Sequence, residues 1–323
     1  MNMDESKKRC AIGVDFGGTY VKMARVDERG AIGARASFST AGLKGVPGWL
    51  DEVERHVGAL LADMPRDAEW AGIGVGVPGF VDYAKGFVHD LTNVPGWTAV
   101  PLAELLSKRF GKVARVDNDV NAMAVGECTY GAGQAYQHAV FLTLGTGVGG
   151  GLLINNNLYR GAYSMAGEIG HVSIDMNGIV APMGKGGVEQ YVGNKRIVER
   201  ALREIDAGRP SSILERAGGK REAVSPKIIC EAAEAGDELA KEIFDFTADC
   251  LATMMASVAY LLQPQAFIVG GGVAAAGPVL FDPLRRHLNE RLSPYFAERL
   301  VLKRAELGND AGVIGSATLT FLE

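Results

Sequence analysis

The sequence has no C-x-x-C pair: its four cysteines stand apart, at positions 10, 128, 230 and 250. That spacing argues against a disulfide framework or a thiolate metal site and suits a reducing cytosol, so a cytoplasmic location is expected. The chain also lacks a long basic run, and its net charge is −5, from 33 basic and 38 acidic residues. No nucleic-acid footprint is expected from that balance. Residues 250–281 carry no charge, but Gln263-Pro264-Gln265 and Gly270-Gly271-Gly272 break them up. A spanning helix needs about 20 unbroken apolar residues, so no membrane partner is expected. The first ten residues, MNMDESKKRC, are charged, and Asp15 interrupts the apolar run that follows. This is not the pattern of a signal peptide.

What is present is a globular mix: 47% apolar and 22% charged residues in a chain of 323, enough for two domains of ordinary size. Glycine is in excess, 43 residues, against about 7% in an average chain. The excess is clustered, which reports functional turns rather than low complexity.

The densest cluster lies in residues 142–171, LTLGTGVGGGLLINNNLYRGAYSMAGEIGH. An apolar strand, AVFLTL (139–144), breaks into glycines at 145, 147, 149, 150 and 151. Such a run lets the backbone reach positive φ and lets a ligand approach the main chain. Exposed N–H groups in the turn can hold an anion, typically phosphate. Glu168 and His171, about twenty residues on, can grip a hydroxylated ligand.

A second such turn lies near the start. Residues 9–16 read as a strand ending in Asp15-Phe16, followed by Gly17-Gly18-Thr19 and a second alternating strand, 20–27. No helix-length segment separates them, so this is a hairpin and not the strand–turn–helix of a dinucleotide site. Residues 46–64 have helical spacing, with Trp49, Leu50, Val53, Val57, Leu60 and Leu61 on one face. A buried strand at 71–82 runs into Pro78-Gly79, and Asn93 sits in a loop before a helix at 101–110. VARVDNDVNA (113–122) predicts a strand, a polar Asp117-Asn118-Asp119 turn and a helix from about Val120. Asn118 and Asp119 therefore stand at a strand's C-terminal end, the edge where open α/β sheets bind ligands. HVSID (171–175) reads as a strand, 176–188 as a glycine-rich loop, and Glu189 as a helix start. The strongest helix is 237–262, with Leu239, Ile243, Phe246, Cys250, Met254, Val258 and Leu261 at threes and fours. A strand with a glycine turn (266–277), a helix near 279–292, a strand near 299–305 and a small-residue helix from about 309 complete the chain. The expected fold class is α/β, with two similar halves, 1–120 and 121–323, the last helix packing back on the first.

Taken in order, DFGGT (15–19), VPG (77–79), DNDVNA (117–122), LGTGVGGG (144–151), AGEIGH (166–171), VGGG (269–272) and NDAGVIGSA (309–317) resemble the ROK family of sugar kinases, within the actin-like ATPase superfamily. Each motif alone is weak; their order and spacing over nearly the whole chain are specific. The resemblance implies two actin-like (ribonuclease H-like) domains with the active-site cleft between them, and ATP-dependent phosphorylation of a hexose hydroxyl, glucose first among the acceptors. An N-acylhexosamine, allose, mannose or fructose kinase is the alternative. It implies Asp119 as general base and Asp15 as the residue holding Mg²⁺, through water. The ATP phosphates fall to Gly17, Gly18, Thr19, Gly145, Thr146 and Gly147, and the adenosine end to Gly270, Gly271 and Gly272. Asn118, Glu168, His171 and Glu189 would hold the sugar beside Asp119, with Gly79 and Asn93 lining the pocket. A homodimer or homotetramer is implied as well.

The sequence departs from the family after His171. Many members carry C-x-C-G-x-x-G-C-x-E there, three cysteines and the histidine binding zinc; this chain reads VAPMGKGGVE (180–189). Proline, methionine and glycine cannot replace thiolates, so no zinc is expected. The family also contains sugar-responsive repressors with a helix-turn-helix ahead of the DxGGT strand. Here that strand begins near residue 10 and the charge is acidic, so a regulator is the less favoured reading.

Overall fold

The computed structural model describes residues 8–91, 94 and 96–322. The chain divides into two compact units, Met1–Ala135 with Leu158–Ala166 and Glu306–Glu323, and Tyr136–Asn157 with Gly167–Ala305.

The first unit opens with β1 (Lys8–Phe16), β2 (Tyr20–Asp27) and β3 (Ile32–Ser39), continues through α1 (Gly45–Ala62) and β4 (Ala68–Val77), and adds three short strands, β5 (Phe80–Asp82), β6 (Phe87–Asp90) and β7 (Thr98–Val100). It then runs through α2 (Leu102–Phe110), β8 (Val113–Asn118) and α3 (Asp119–Tyr130). Its main sheet has the order β3-β2-β1-β4-β8. The first three strands are antiparallel, and β1, β4 and β8 run parallel. On one face α1 buries Trp49, Leu50, Val53, Val57 and Leu60, where the helical spacing puts them. Phe16 stacks on Trp49 at 5.4 Å, and Trp97 packs edge-on against both, fixing the end of β1 from below.

The other face is covered by the C-terminal helix, Ala311–Thr318. It lies so close to the sheet that a Cβ on Gly13 or Gly74 would overlap its backbone carbonyls, and a Cβ on its own Gly315 would overlap the carbonyl of Ala122 in α3. Glycine at these positions is a requirement of distance. Glu127, 3% exposed in α3, accepts hydrogen bonds from the N–H groups of Ala132, Glu306 and Leu307 at 2.8–3.2 Å and ties the returning chain down. A split near residue 120 was expected; α3 instead stays with the first unit, because it packs against both the C-terminal helix and this sheet.

The second unit contains β9 (Ala139–Leu144), β10 (Val148–Ile154), the first residue of β11 (Asn157–Tyr159), β12 (Val180–Ala181) and β13 (Gly184–Lys185). Its helices begin with α4 (Glu189–Val192), α5 (Asn194–Asp206), α6 (Ile213–Arg216), α7 (Pro226–Glu234) and α8 (Glu238–Leu262). After β14 (Ala266–Gly270) come α9 (Pro278–Arg291), α10 (Pro294–Ala297) and β15 (Val301–Arg304). The sheet order, β11-β10-β9-β14-β15, repeats that of the first unit. Again a hairpin is followed by parallel strands, β9 beside β14 beside β15. This is the ribonuclease H-like arrangement, once per unit. Helix α8 is capped by Asp237, whose carboxylate accepts from Ala240 N–H at 3.0 Å, and ends at Gln263 in the left-handed conformation. Its stripe is buried through Val258 except at Phe246, which is half-buried, and Leu261 is 81% exposed.

One expected strand is not formed. Residues 171–175 make a single bridge, Ser173 to Gly187, after a 3₁₀ turn at Ile169–His171. The alternation in H-V-S-I-D is there, but Gly167 (φ +97°) turns the chain, and Gly170 is pressed onto the Val148 carbonyl, leaving no straight run to pair. Among the described residues no helix is long and apolar enough to cross a membrane.

Candidate active site

In the first unit, Asn118 and Asp119 stand where β8 ends and α3 begins. Asn118 caps the helix: its side-chain oxygen accepts from Val120 N–H at 2.9 Å and Asn121 N–H at 3.2 Å. Its amide nitrogen donates to the Gly79 carbonyl at 3.2 Å, so two expected pocket residues are joined. Gly79 has φ +155°, and a Cβ there would overlap the carbonyl of Asp90. Asp119 is the first residue of α3 and half-buried, and its Oδ1 accepts from Val120 N–H at 2.9 Å. A carboxylate at this end of a helix is favoured by the helix dipole. Asn93 lies outside the described residues.

Asp15 closes β1 and is 9% exposed. Burial raises its pKa above the ordinary carboxylate value, opposed by Lys22, whose Nζ is 3.8 Å away. Gly312 of the C-terminal helix backs it closely: a Cβ there would lie 2.7 Å from the carboxyl carbon. Beyond Asp15 the chain turns through Gly17-Gly18-Thr19. Gly17 N–H donates to the Tyr20 carbonyl at 3.0 Å, and Thr40 Oγ1 donates to the Gly18 carbonyl at 2.8 Å.

The second unit repeats the turn. Between β9 and β10, Gly145 N–H donates to the Gly147 carbonyl at 3.0 Å, and the Gly145 carbonyl accepts from Asn194 N–H at 2.8 Å at the start of α5. Glu189, the first residue of α4, places its Oε2 3.0 Å from Val148 N–H. A Cβ on Gly147 would overlap that oxygen. Glu168 and His171 face each other, Oε2 to Nε2, at 3.7 Å. Burial pushes the Glu168 carboxyl up, His171 opposes the shift, and the charge of Glu189 adds to it. Glu168 thus pairs with His171 and feels the charge of Glu189, beside the hairpin that carries the turn. Gly271, at φ +84°, is packed on Leu144, the residue before Gly145, so the third glycine motif adjoins the second.

The reason for the glycines differs from the one expected. None of Gly17, Gly18, Gly145, Gly147, Gly149, Gly150 or Gly151 has positive φ. Gly150 is required because the Gly167 carbonyl is too close for a Cβ, and a Cβ on Gly147 would displace the Glu189 carboxylate. Gly18, Gly145 and Gly272 are the opposite: apart from their chain neighbours, no heavy atom lies within 4 Å of where a Cβ would stand. Open space over backbone at the tip of a hairpin is what an approaching phosphate needs.

Sequence reading missed the group behind Asn118. Asp117, 2% exposed, accepts from Asn118 N–H at 2.8 Å and from Asn121 Nδ2 at 3.0 Å through one oxygen. Its other oxygen takes Arg160 Nε at 2.8 Å and Nη2 at 2.6 Å. Arg160 is stacked over Tyr83, 3.6 Å from the ring centre. An aspartate inside a strand pattern was the available signal; its partner, 43 residues away, had none.

A sequence profile described as "ROK family" matches residues 11–321. The chain belongs to the ROK family. Among its relatives, the glucokinase of Thermotoga maritima is 34% identical over 308 residues, 95% of this chain and 96% of that one. The glucokinase of Halalkalibacterium halodurans is also 34% identical, over 96% of this chain and 94% of its own. The crystal structure of a ROK family glucokinase from Streptomyces griseus, in complex with glucose and AMPPNP, superposes with a TM-score of 0.80 at 33% identity, covering 96% of this chain and 98% of that one. The two-domain actin-like fold of the ROK kinases is therefore the fold of this chain.

Proposed function

We propose that this ROK protein phosphorylates glucose with ATP, giving glucose 6-phosphate and ADP. The observation that carries the reading is Glu189: its carboxylate accepts from Val148 N–H beside the glycine turn, and its charge reaches Glu168 of the Glu168–His171 pair. Donor and acceptor chemistry are thus joined in a single side chain. The full-length similarity to glucokinases supports the same reading.

In the proposed reaction Asp119 accepts the proton of the sugar hydroxyl as the oxygen attacks the γ-phosphorus, and the bond to the β-phosphate oxygen breaks. A positioned base of this kind contributes roughly 10²–10⁴-fold. Asn118 orients a hydroxyl beside it. Glu168, His171 and Glu189 grip further hydroxyls, and ligands lacking those groups leave the grip unpaired. The backbone around Gly17-Gly18-Thr19 and Gly145-Thr146-Gly147 receives the phosphates, and Gly270-Gly271-Gly272 the adenosine end. Phosphoryl transfer asks mainly for such positioning.

The donor set around Asp15 fits magnesium arriving with the nucleotide. Asp15 is a single carboxylate beside a phosphate turn, and the described residues contain no cluster of three His, Cys, Asp or Glu side chains to cage an ion. Magnesium keeps several waters and is held by one or two carboxylates with substrate phosphates, where it neutralises developing charge. Loop 176–188 we read as free of structural zinc. Tyr191 Oη donates to Asp175 Oδ2 at 3.3 Å and accepts from Ile179 N–H at 3.2 Å, a clip made without thiolates. Metal analysis finding one zinc per chain would overturn that reading.

A coupled ADP-release assay with Mg-ATP against hexoses and N-acylhexosamines tests the function. Glucose is expected to give the highest kcat/KM. Faster turnover of an N-acylhexosamine would move the assignment to that class, and no ADP release with any sugar would sink it.

A further inference from the structure

We propose that Arg160 is a positioning residue for the phosphoryl acceptor, acting in two directions at once. The inference rests on the reading that Asp119 is the base and Glu168 part of the sugar grip. Its side chain forks onto Asp117 at 2.6 and 2.8 Å, and Asp117 in turn holds the main chain of Asn118 and the side chain of Asn121. The corner that presents Asn118 and Asp119 is therefore built on the arginine's charge. Its main chain makes a separate contact. The Arg160 carbonyl accepts from Ala166 N–H at 2.9 Å, closing residues 160–166 into a loop. Within that loop Gly161, at φ +73°, leaves only 3.0 Å between a would-be Cβ and Ala166 Cβ. Two residues after Ala166 comes Glu168. One arginine thus fixes the base-bearing corner with its side chain and closes, with its carbonyl, the loop that precedes Glu168 in sequence.

All the hydrogen-bonding capacity of Asp117 is used: two donors reach each oxygen. Arg160 is held flat against Tyr83, and its Nη1 reaches the Leu158 carbonyl at 3.3 Å. Lysine could supply the charge there but not the planar fork, so it would leave the pair without its direction.

Two variants separate this role from a purely structural one. Arg160→Lys keeps the charge, and Asp117→Asn with Arg160→Gln removes both charges together, so no unpaired buried ion remains. In each, the glucose KM is expected to rise about tenfold or more, with a matching loss of glucose affinity by calorimetry without nucleotide, since small misplacements of bound groups have effects of this size. The ATP KM is expected to stay within about twofold. If the Lys variant does not fold, the double variant carries the test. Glucose and ATP KM values that both stay near wild type, or rise together, in the folded variants overturn the inference while an active wild type leaves the kinase reading standing. A wild type inert toward every hexose defeats the kinase reading and this inference with it.

Discussion

Glu189 Oε2 lies 3.0 Å from Val148 N–H, and a Cβ on Gly147 would overlap the same oxygen. The carboxylate therefore braces the glycine hairpin as well as facing Glu168. Glu189→Ala is expected to raise the KM of glucose and of ATP together, each by roughly tenfold. Gly147→Ala, which would drive the carboxylate away, should give the same paired defect. A Glu189 variant altered only toward glucose would show that the brace is without consequence for the donor.

Gly145 and Gly18 make the contrasting case. Both sit at hairpin tips with open space over the backbone and without positive φ. Alanine at either position meets no neighbour, so Tm should move by no more than about 2 °C, within the ordinary range for surface substitutions. The ATP KM should nevertheless rise about tenfold, because the new methyl group occupies the space a phosphate needs. Unchanged ATP kinetics in both variants would remove these turns from the nucleotide site.

Asp119→Asn keeps an oxygen to accept from Val120 N–H, so folding should be unaffected. With the base gone, kcat is expected to fall by about 10²–10⁴ while the glucose KM changes by less than about threefold. Near wild-type turnover would reassign the base.

For Glu168 the expected effect depends on pH. Burial raises its pKa in the folded chain, with His171 opposing and Glu189 adding. A carboxyl with a raised folded pKa favours the native state while protonated. That contribution is complete below the unfolded pKa and is lost as pH rises through the folded one. Glu168→Gln should therefore melt higher than wild type near neutrality, with the difference closing in acid. Melting curves from about pH 4 to pH 8 would show it. The same variant should weaken glucose binding most toward alkaline pH, where more of the wild-type carboxylate is charged and accepts hydrogen bonds. A Gln variant melting below wild type at neutral pH would contradict the sign.

Much of this architecture was readable from residue order. The strand ending in Asp15, the Asp117-Asn118-Asp119 corner and both glycine hairpins lie where local pattern puts them, because each combines an apolar strand with an abrupt polar or glycine break. What was not readable depended on distant packing. Arg160 looks like a surface arginine until the segment carrying it is seen against Asp117. The three strands β5 to β7, of three or four residues each, are too short to show alternation. Residues 171–175 do show alternation, yet Gly167 and Gly170 prevent it from being used. The glycines follow a different logic from the positive φ first expected: Gly147 and Gly150 face close neighbours, whereas Gly18 and Gly145 face open space.

The C-terminal helix, Ala311–Thr318, seals the face of β1 and β4 through Gly13 and Gly74, and Val313, Ile314 and Ala317 complete a core with Ala11, Ala24 and Val26. Synthesis runs from the other end. Residues 8–135 leave the ribosome with that apolar face uncovered, and it stays so until Ala311–Thr318 is made. The second unit, nearly continuous in sequence, has its last strand, β15, complete before that helix begins. Domains generally fold as units during synthesis. Here the unit begun first is the one finished last, and the exposed sheet in between is a surface for chaperones to guard.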